Sequence, residues 1–131
     1  MQTVKYDTSK IGWRSILKDY AADLLEKFIQ EWSLKGEPFE MNSGEAFRYE
    51  SKQLEKEKRT ISRASIIVAL NYMVDIGLLK HRDTTGKGGH HRVYSLANTP
   101  YQLERFVVTN ILQRIRDTWP DAYQEVVEVV Q

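Results

Sequence analysis

Arg63, Ala64, Ile67 and Asn71 fall within the stretch SRASIIVALNYMVD at spacings that put all four on one side of a helix. Their side chains suit the edges of base pairs. A guanidinium can donate two hydrogen bonds to guanine, a carboxamide can pair bidentately with adenine, and small alkyl groups can touch the methyl of thymine. Around this set stand groups that suit phosphate oxygens. Lys58, Arg59, Ser62 and Ser65 lie before the helix or in its first turn, and Lys87, His90 and Arg92 lie beyond it. Tyr72 suits either a phosphate or the interior.

Other chemistries are poorly provided for. Cysteine is absent, which removes disulfides and thiolate metal sites. His90 and His91 are adjacent, and neighbours on a strand point to opposite faces, so they do not chelate one ion together. The run Thr85-Gly86-Lys87-Gly88-Gly89 lacks Walker spacing and precedes a strand rather than a helix. No spacing of serine, histidine and carboxylate picks out a nucleophile with its base. The residues therefore predict no enzyme, no metal site and no cofactor.

Net charge is only +1, which alone says nothing about nucleic acid. Its distribution says more. The segment Lys52 to Arg92 holds nine Lys/Arg against four Asp/Glu, a net of +5, and leaves the remainder at −4. Attraction to phosphates needs such concentration.

These residues must be positioned by a helix and two strands. Ser62 can cap a helix running to Ile76, with Ile66, Leu70, Met73 and Val74 as its buried face. Gly77 ends it where a left-handed residue costs least. Leu79 begins an extended run, Thr84 to Gly89 is a turn or loop, and His90 to Leu96 reads as a second strand. Before them, Asn42 and Glu45 stand at capping-box spacing and open a helix from Gly44 to Glu55. The charged connection EKEKR is longer than the tightest helix-turn-helix turns. Two helices followed by a hairpin with a basic tip make the layout of a winged helix-turn-helix, whose second helix enters the major groove. Arg63, Ala64, Ile67 and Asn71 would then read bases, and the flanking set would hold phosphates.

SRASIIVALNYMVDIGLL with GGHHRVYSL resembles the recognition helix and wing of winged-helix repressors, and the layout is most similar to the penicillinase-repressor family. That family carries T-V-x-x-x-L-x-x-L-x-x-x-G-L-L and ends its wing in Y-x-Y-S. Here Ser65-Ile66, Leu70, Met73 and Gly77-Leu78-Leu79 match the helix, and Arg92-Val93-Tyr94-Ser95 matches the wing. MarR-like and PadR-like groups share these motifs. The resemblance covers about a third of the chain well. It implies a dimeric regulator of transcription that binds double-stranded DNA and represses by blocking a promoter. The absence of cysteine excludes the copper sensing known in some relatives.

The rest of the chain supplies a core and an assembly surface. Trp13 to Trp32 reads as one amphipathic helix ended by Gly36 and Pro38. Phe39 to Met41 suits a very short strand. Thr99, Pro100 and Gln102 open a helix to Trp119, and Asp121 can cap a last one, although its valines also suit a strand. The apolar surface on Phe106, Ile111, Ile115, Trp119, Val126 and Val130 exceeds what a small core covers, and such faces mark subunit contacts. The expected architecture is mainly α with a small β-hairpin, an α+β class. It divides into a DNA-binding unit over 1–98 and a dimerisation element over 99–131. No apolar run approaches membrane-spanning length and the leading residues lack a signal core, so a cytoplasmic homodimer without membrane contact is expected. Two alternatives remain on residues alone. One is a winged helix that uses Ile67 and Val68 for protein contact within a transcription or replication assembly. The other is a MarR-like regulator holding a small-molecule inducer between its first and C-terminal helices.

Overall fold

Asp19 begins the first long helix, α1 (Asp19–Lys35), in a computed structural model that describes residues 4–86 and 89–130, the side chains of 128–130 excepted. Its apolar stripe buries Leu24, Leu25 and Phe28. Gly36 stops it at φ 69°, in the left-handed region. The expected single helix from Trp13 is broken. Gly12–Ser15 is a 3-10 turn, and Lys18 is extended at φ −63°, ψ 156°. Arg14 explains the break. It folds back to ion-pair with Asp23 and Glu26, which in one continuous helix would lie about 14 and 18 Å further along the axis. Ile16 and Leu17 are buried all the same, so the apolar pattern reports burial where the helix does not run.

A short strand β1 (Met41–Asn42) leads into α2 (Ser43–Glu55). The Asn42 carboxamide accepts from the Glu45 N–H at 2.8 Å, and the Glu45 carboxylate accepts from the Asn42 N–H at 2.9 Å, the reciprocal capping box the spacing predicts. α2 closes through Lys58 at φ 57° and an Arg59 N–H bond to the Leu54 carbonyl, 2.9 Å. Next comes α3 (Arg63–Asp75), capped by the Ser62 hydroxyl, which accepts from the Ser65 N–H. Ile66, Leu70 and Met73 are fully buried, as the periodicity requires.

Gly77, at φ 89°, turns the chain into β2 (Leu79–Gly86), which pairs antiparallel with β3 (Gly89–Leu96) from Leu79↔Leu96 to Gly86↔Gly89. The expected six-residue tip is shorter, because Thr84 and Thr85 are strand residues opposite His91 and His90. β1 joins the far edge of β3, giving the order β1-β3-β2. The chain is thus mainly helical with a small three-stranded antiparallel sheet, and the α+β expectation holds.

Thr99 caps α4 (Pro100–Thr118), with Pro100 in its first turn. The core crosses position 98 without a break, since Leu103 belongs to the same buried cluster as α1, α3 and the sheet. The Phe106 ring lies against Gly77, and a Cβ added at Gly77 would stand 3.0 Å from it. The last element is a helix rather than a strand: α5 (Pro120–Val130), begun by Pro120 with Asp121 inside its first turn. No helix among the described residues is long and apolar enough to cross a membrane.

Candidate nucleic-acid interface

Three elements meet in a cleft of about 460 Å³: the first turn of α2, the outer face of α3 and the distal half of β3. α2 contributes Ser43, Gly44 and Arg48; α3 contributes Arg63, Ile67 and Asn71; β3 contributes His90, His91, Arg92 and Tyr94. Among the described residues no carboxylate lines it.

Position on each element follows from local sequence rules. Asn42 and Ser62 fix where α2 and α3 begin. Burial of Ile66, Leu70 and Met73 turns Arg63, Ala64 and Ile67 outward. On β3, His90, Arg92 and Tyr94 share one face by strand alternation. The buried end of that face is Tyr94, whose hydroxyl donates to Asn71 Oδ1 at 2.7 Å. Arg92 donates to the same oxygen at 3.2 Å. Burial pushes the Tyr94 phenol up, and the Arg92 charge beside it pulls it back down. Bidentate pairing of Asn71 with adenine would require Oδ1 to give up at least one of these bonds. In this arrangement Asn71 fastens the hairpin to α3.

Arg48 and Arg63 converge on one point. A Cβ built at Gly44 would stand 3.4 Å from Arg63 Nη2 and 3.6 Å from Arg48 Nη1. Gly44 lies in the first turn of α2, where backbone N–H groups and the helix dipole are already electropositive. Arg63 Nη2 also donates weakly to Ser43 Oγ, 3.4 Å. Among the described residues Arg48, Arg63 and Arg92 form no ion pair. Arg82, on the other strand, is neutralised by a two-pronged bond to Glu40 at 2.6 and 2.7 Å, which raises the arginine pKa and lowers that of the carboxylate. Arg48 and Arg63 repel one another beside the first turn of α2, whose acid, Glu45, is engaged with the Asn42 N–H, and a bound anion relieves that repulsion.

Lys58, Arg59 and Ser62 are exposed and Ser65 is half-buried, and the Ser62 hydroxyl is occupied in capping. Lys58 and Arg59 sit on the α2–α3 connection, with Arg59 3.2 Å from Glu57. The Ser62 and Ser65 hydroxyls lie 2.9 Å from each other at the start of α3. His90 and Arg92 are exposed on the hairpin, while Lys87 lies outside the described residues. Arg48, Ser43 and Gly44 were not expected in the site. Their signal was the capping box, which points the first turn of α2 at whatever α3 faces. No group of three or more His, Asp or Glu among the described residues could hold a metal ion.

The expected assembly residues divide. Phe106 packs on its own chain at Gly77 and is half-buried with Ile111, whereas Ile115, Trp119 and Val126 are exposed. The side chain of Val130 is outside the description. No protein-family profile matches the chain, and neither curated proteins nor solved structures yield a significant match.

Proposed function

We propose that the chain is a winged helix-turn-helix regulator that binds double-stranded DNA sequence-specifically, as a dimeric repressor. The observation that carries this reading is the acid-free cleft lined by arginines of α2, α3 and β3, two of which, Arg48 and Arg63, stand beside Gly44 in the first turn of α2. The element order supports it: α2 and α3 form the helix pair, β2 and β3 form the wing, and β1 completes the sheet. In this reading the α2 N-terminus with Arg48 holds a backbone phosphate. Ala64, Ile67 and Arg63 enter the major groove, and His90 and Arg92 follow the neighbouring backbone. Exposed Ile115, Trp119 and Val126 pair two copies, so that two α3 helices meet successive grooves about 34 Å apart. Repression follows from occupancy of a promoter and needs no catalytic group.

Selection from random duplexes tests the proposal. The full chain is expected to enrich a two-fold symmetric sequence. Arg63→Ala should then cost about 1–3 kcal/mol on that sequence and relax one position per half-site. Arg48→Ala should weaken all duplexes alike and flatten the salt dependence. Failure to enrich any sequence, with selected and random DNA bound equally, would overturn specific recognition.

A further inference from the structure

α3 is the wall between two cavities. Ile67 lines the basic cleft, and the next residue, Val68, lines a second hollow of about 390 Å³ on the opposite shoulder of the helix. Its floor is Ile16, Ala21 and Ala69, all buried; its sides are Tyr20 and Tyr72; Lys5 and Lys18 stand at its rim. The volume lies within the roughly 300–1,000 Å³ of small-molecule sites, and an apolar floor with a few polar groups is their usual composition.

Two features separate this hollow from an incidental surface dip. Val68 is 66% exposed in the middle of a helix whose buried face is complete without it, so its alkyl group faces the hollow rather than the core. The polar groups around it have no partner within the described chain. Among the described residues neither lysine makes an ion pair, and neither tyrosine hydroxyl makes a hydrogen bond, whereas Lys27 and Lys35 are both paired with Glu31. No carboxylate lines the hollow. Apolar floor, two free ammonium groups and two free phenols complement a molecule with an apolar body and one negative end.

We infer that the hollow between the N-terminal segment, α1 and α3 binds a small apolar carboxylate, whose alkyl or aromatic body packs on Val68 and Ala69 while its carboxylate meets Lys5 and Lys18. The site differs from the expected one between the first and C-terminal helices. Its consequence for DNA rests on the proposed function. A ligand on Val68 and Tyr72 thickens the shoulder of α3 beside Ala64 and Ile67 and places a negative charge near the phosphate backbone, so occupancy weakens DNA binding.

Sodium octanoate serves as the probe, titrated into the isotope-labelled full chain without DNA and read from amide resonances. Saturable shifts are expected at Ala21, Val68, Ala69 and Tyr72, with a Kd of about 0.1–1 mM. The double variant Lys5→Glu/Lys18→Glu, altered only at exposed positions, should keep the parent spectrum elsewhere and bind at least roughly fivefold more weakly. Octyltrimethylammonium, which has the same body and the opposite charge, should bind weakly to the parent. Absence of localised shifts up to about 10 mM, or equal affinity for the cationic analogue, overturns the site. A second arm adds octanoate to the selected duplex complex, where release from the parent but not from the double variant is expected. Binding without release removes the coupling and keeps the site. Because the first arm contains no DNA, loss of the octanoate site and loss of DNA recognition are read independently.

Discussion

A side chain in the left-handed backbone region costs roughly 1–2 kcal/mol, because Cβ crowds the following carbonyl oxygen, and glycine escapes that cost. Lys58 occupies this region at φ 57°, at the position after α2 where helices usually carry glycine. Strain kept at an exposed lysine on the α2–α3 connection is accounted for if its charge is used. Lys58→Gly should therefore raise unfolding stability by about 0.5–1 kcal/mol with an unchanged denaturant slope, while weakening binding to every duplex and lowering the salt slope by about one ion. A variant less stable than the parent would show that the lysine is not strained. At this scale the sequence is legible where a residue's role is local. Asn42, Ser62 and Thr99 cap the helices that their spacing assigns to them, because a cap needs only the next three residues. Asn71 was not legible in the same way. Its partners Tyr94 and Arg92 are more than twenty positions away and are brought to it only by the hairpin register.

Helices α1 and α2 meet over a carboxylate that neither helix can satisfy. Glu50 of α2 is fully buried, and as a carboxylate neither of its oxygens finds a donor, whereas the protonated acid can donate to Asp23 across the interface. Burial, reinforced by Asp23 across the interface and by Glu57, pushes its pKa up to about 8, while Arg14 opposes the shift. The raised folded-state value gives the sign. Stability from this group is present in full below the unfolded value near 4.5 and is lost as pH rises through about 8. Glu50→Gln keeps the shape and cannot ionise. It should match the parent near pH 5 and exceed it by about 1–3 kcal/mol at pH 9, in denaturation followed by circular dichroism. Equal pH profiles for the two proteins would mean that Glu50 is solvated or paired. The apolar stripes of α1 and α3 were readable because a 3.6-residue period survives any context. The break before Asp19 was not, because it depends on Arg14 reaching acids two turns away and beyond. The hairpin arms were readable, but not the length of their tip, since threonines extend strands as readily as they end them.

Among the described residues the last buried apolar side chain is Leu103, and those of α4 and α5 beyond it are half-buried or exposed. Leu103 is buried and Phe106 closes on Gly77, so the start of α4 is fixed to the core. Beyond it the same helix turns Leu112 and Ile115 to solvent, followed by Trp119 just past its end and Val126 on α5. Trp119 is 63% exposed and Val126 60%. The surplus of apolar residues was legible in the sequence as a count. Its division into an inward half and an outward half was not, because that depends on where α4 leaves the sheet. Each large apolar side chain taken from water contributes about 1.5–3 kcal/mol, so a few shared across a two-fold axis are enough to hold a pair. In the proposed reading a single basic cleft reads one half-site, and a rigid pair is needed for the second. Ile115→Glu puts a charge in the centre of the outward stripe without touching Leu103, Phe106 or the cleft. The parent should sediment as a dimer at about 10 µM, and the variant as a folded monomer with its helical circular dichroism retained. Affinity for a symmetric site should fall about tenfold or more, and affinity for an isolated half-site should stay unchanged, because only the linkage between two sites is lost. A parent that sediments as a monomer yet holds the symmetric site tightly would assign the outward stripe to some other contact.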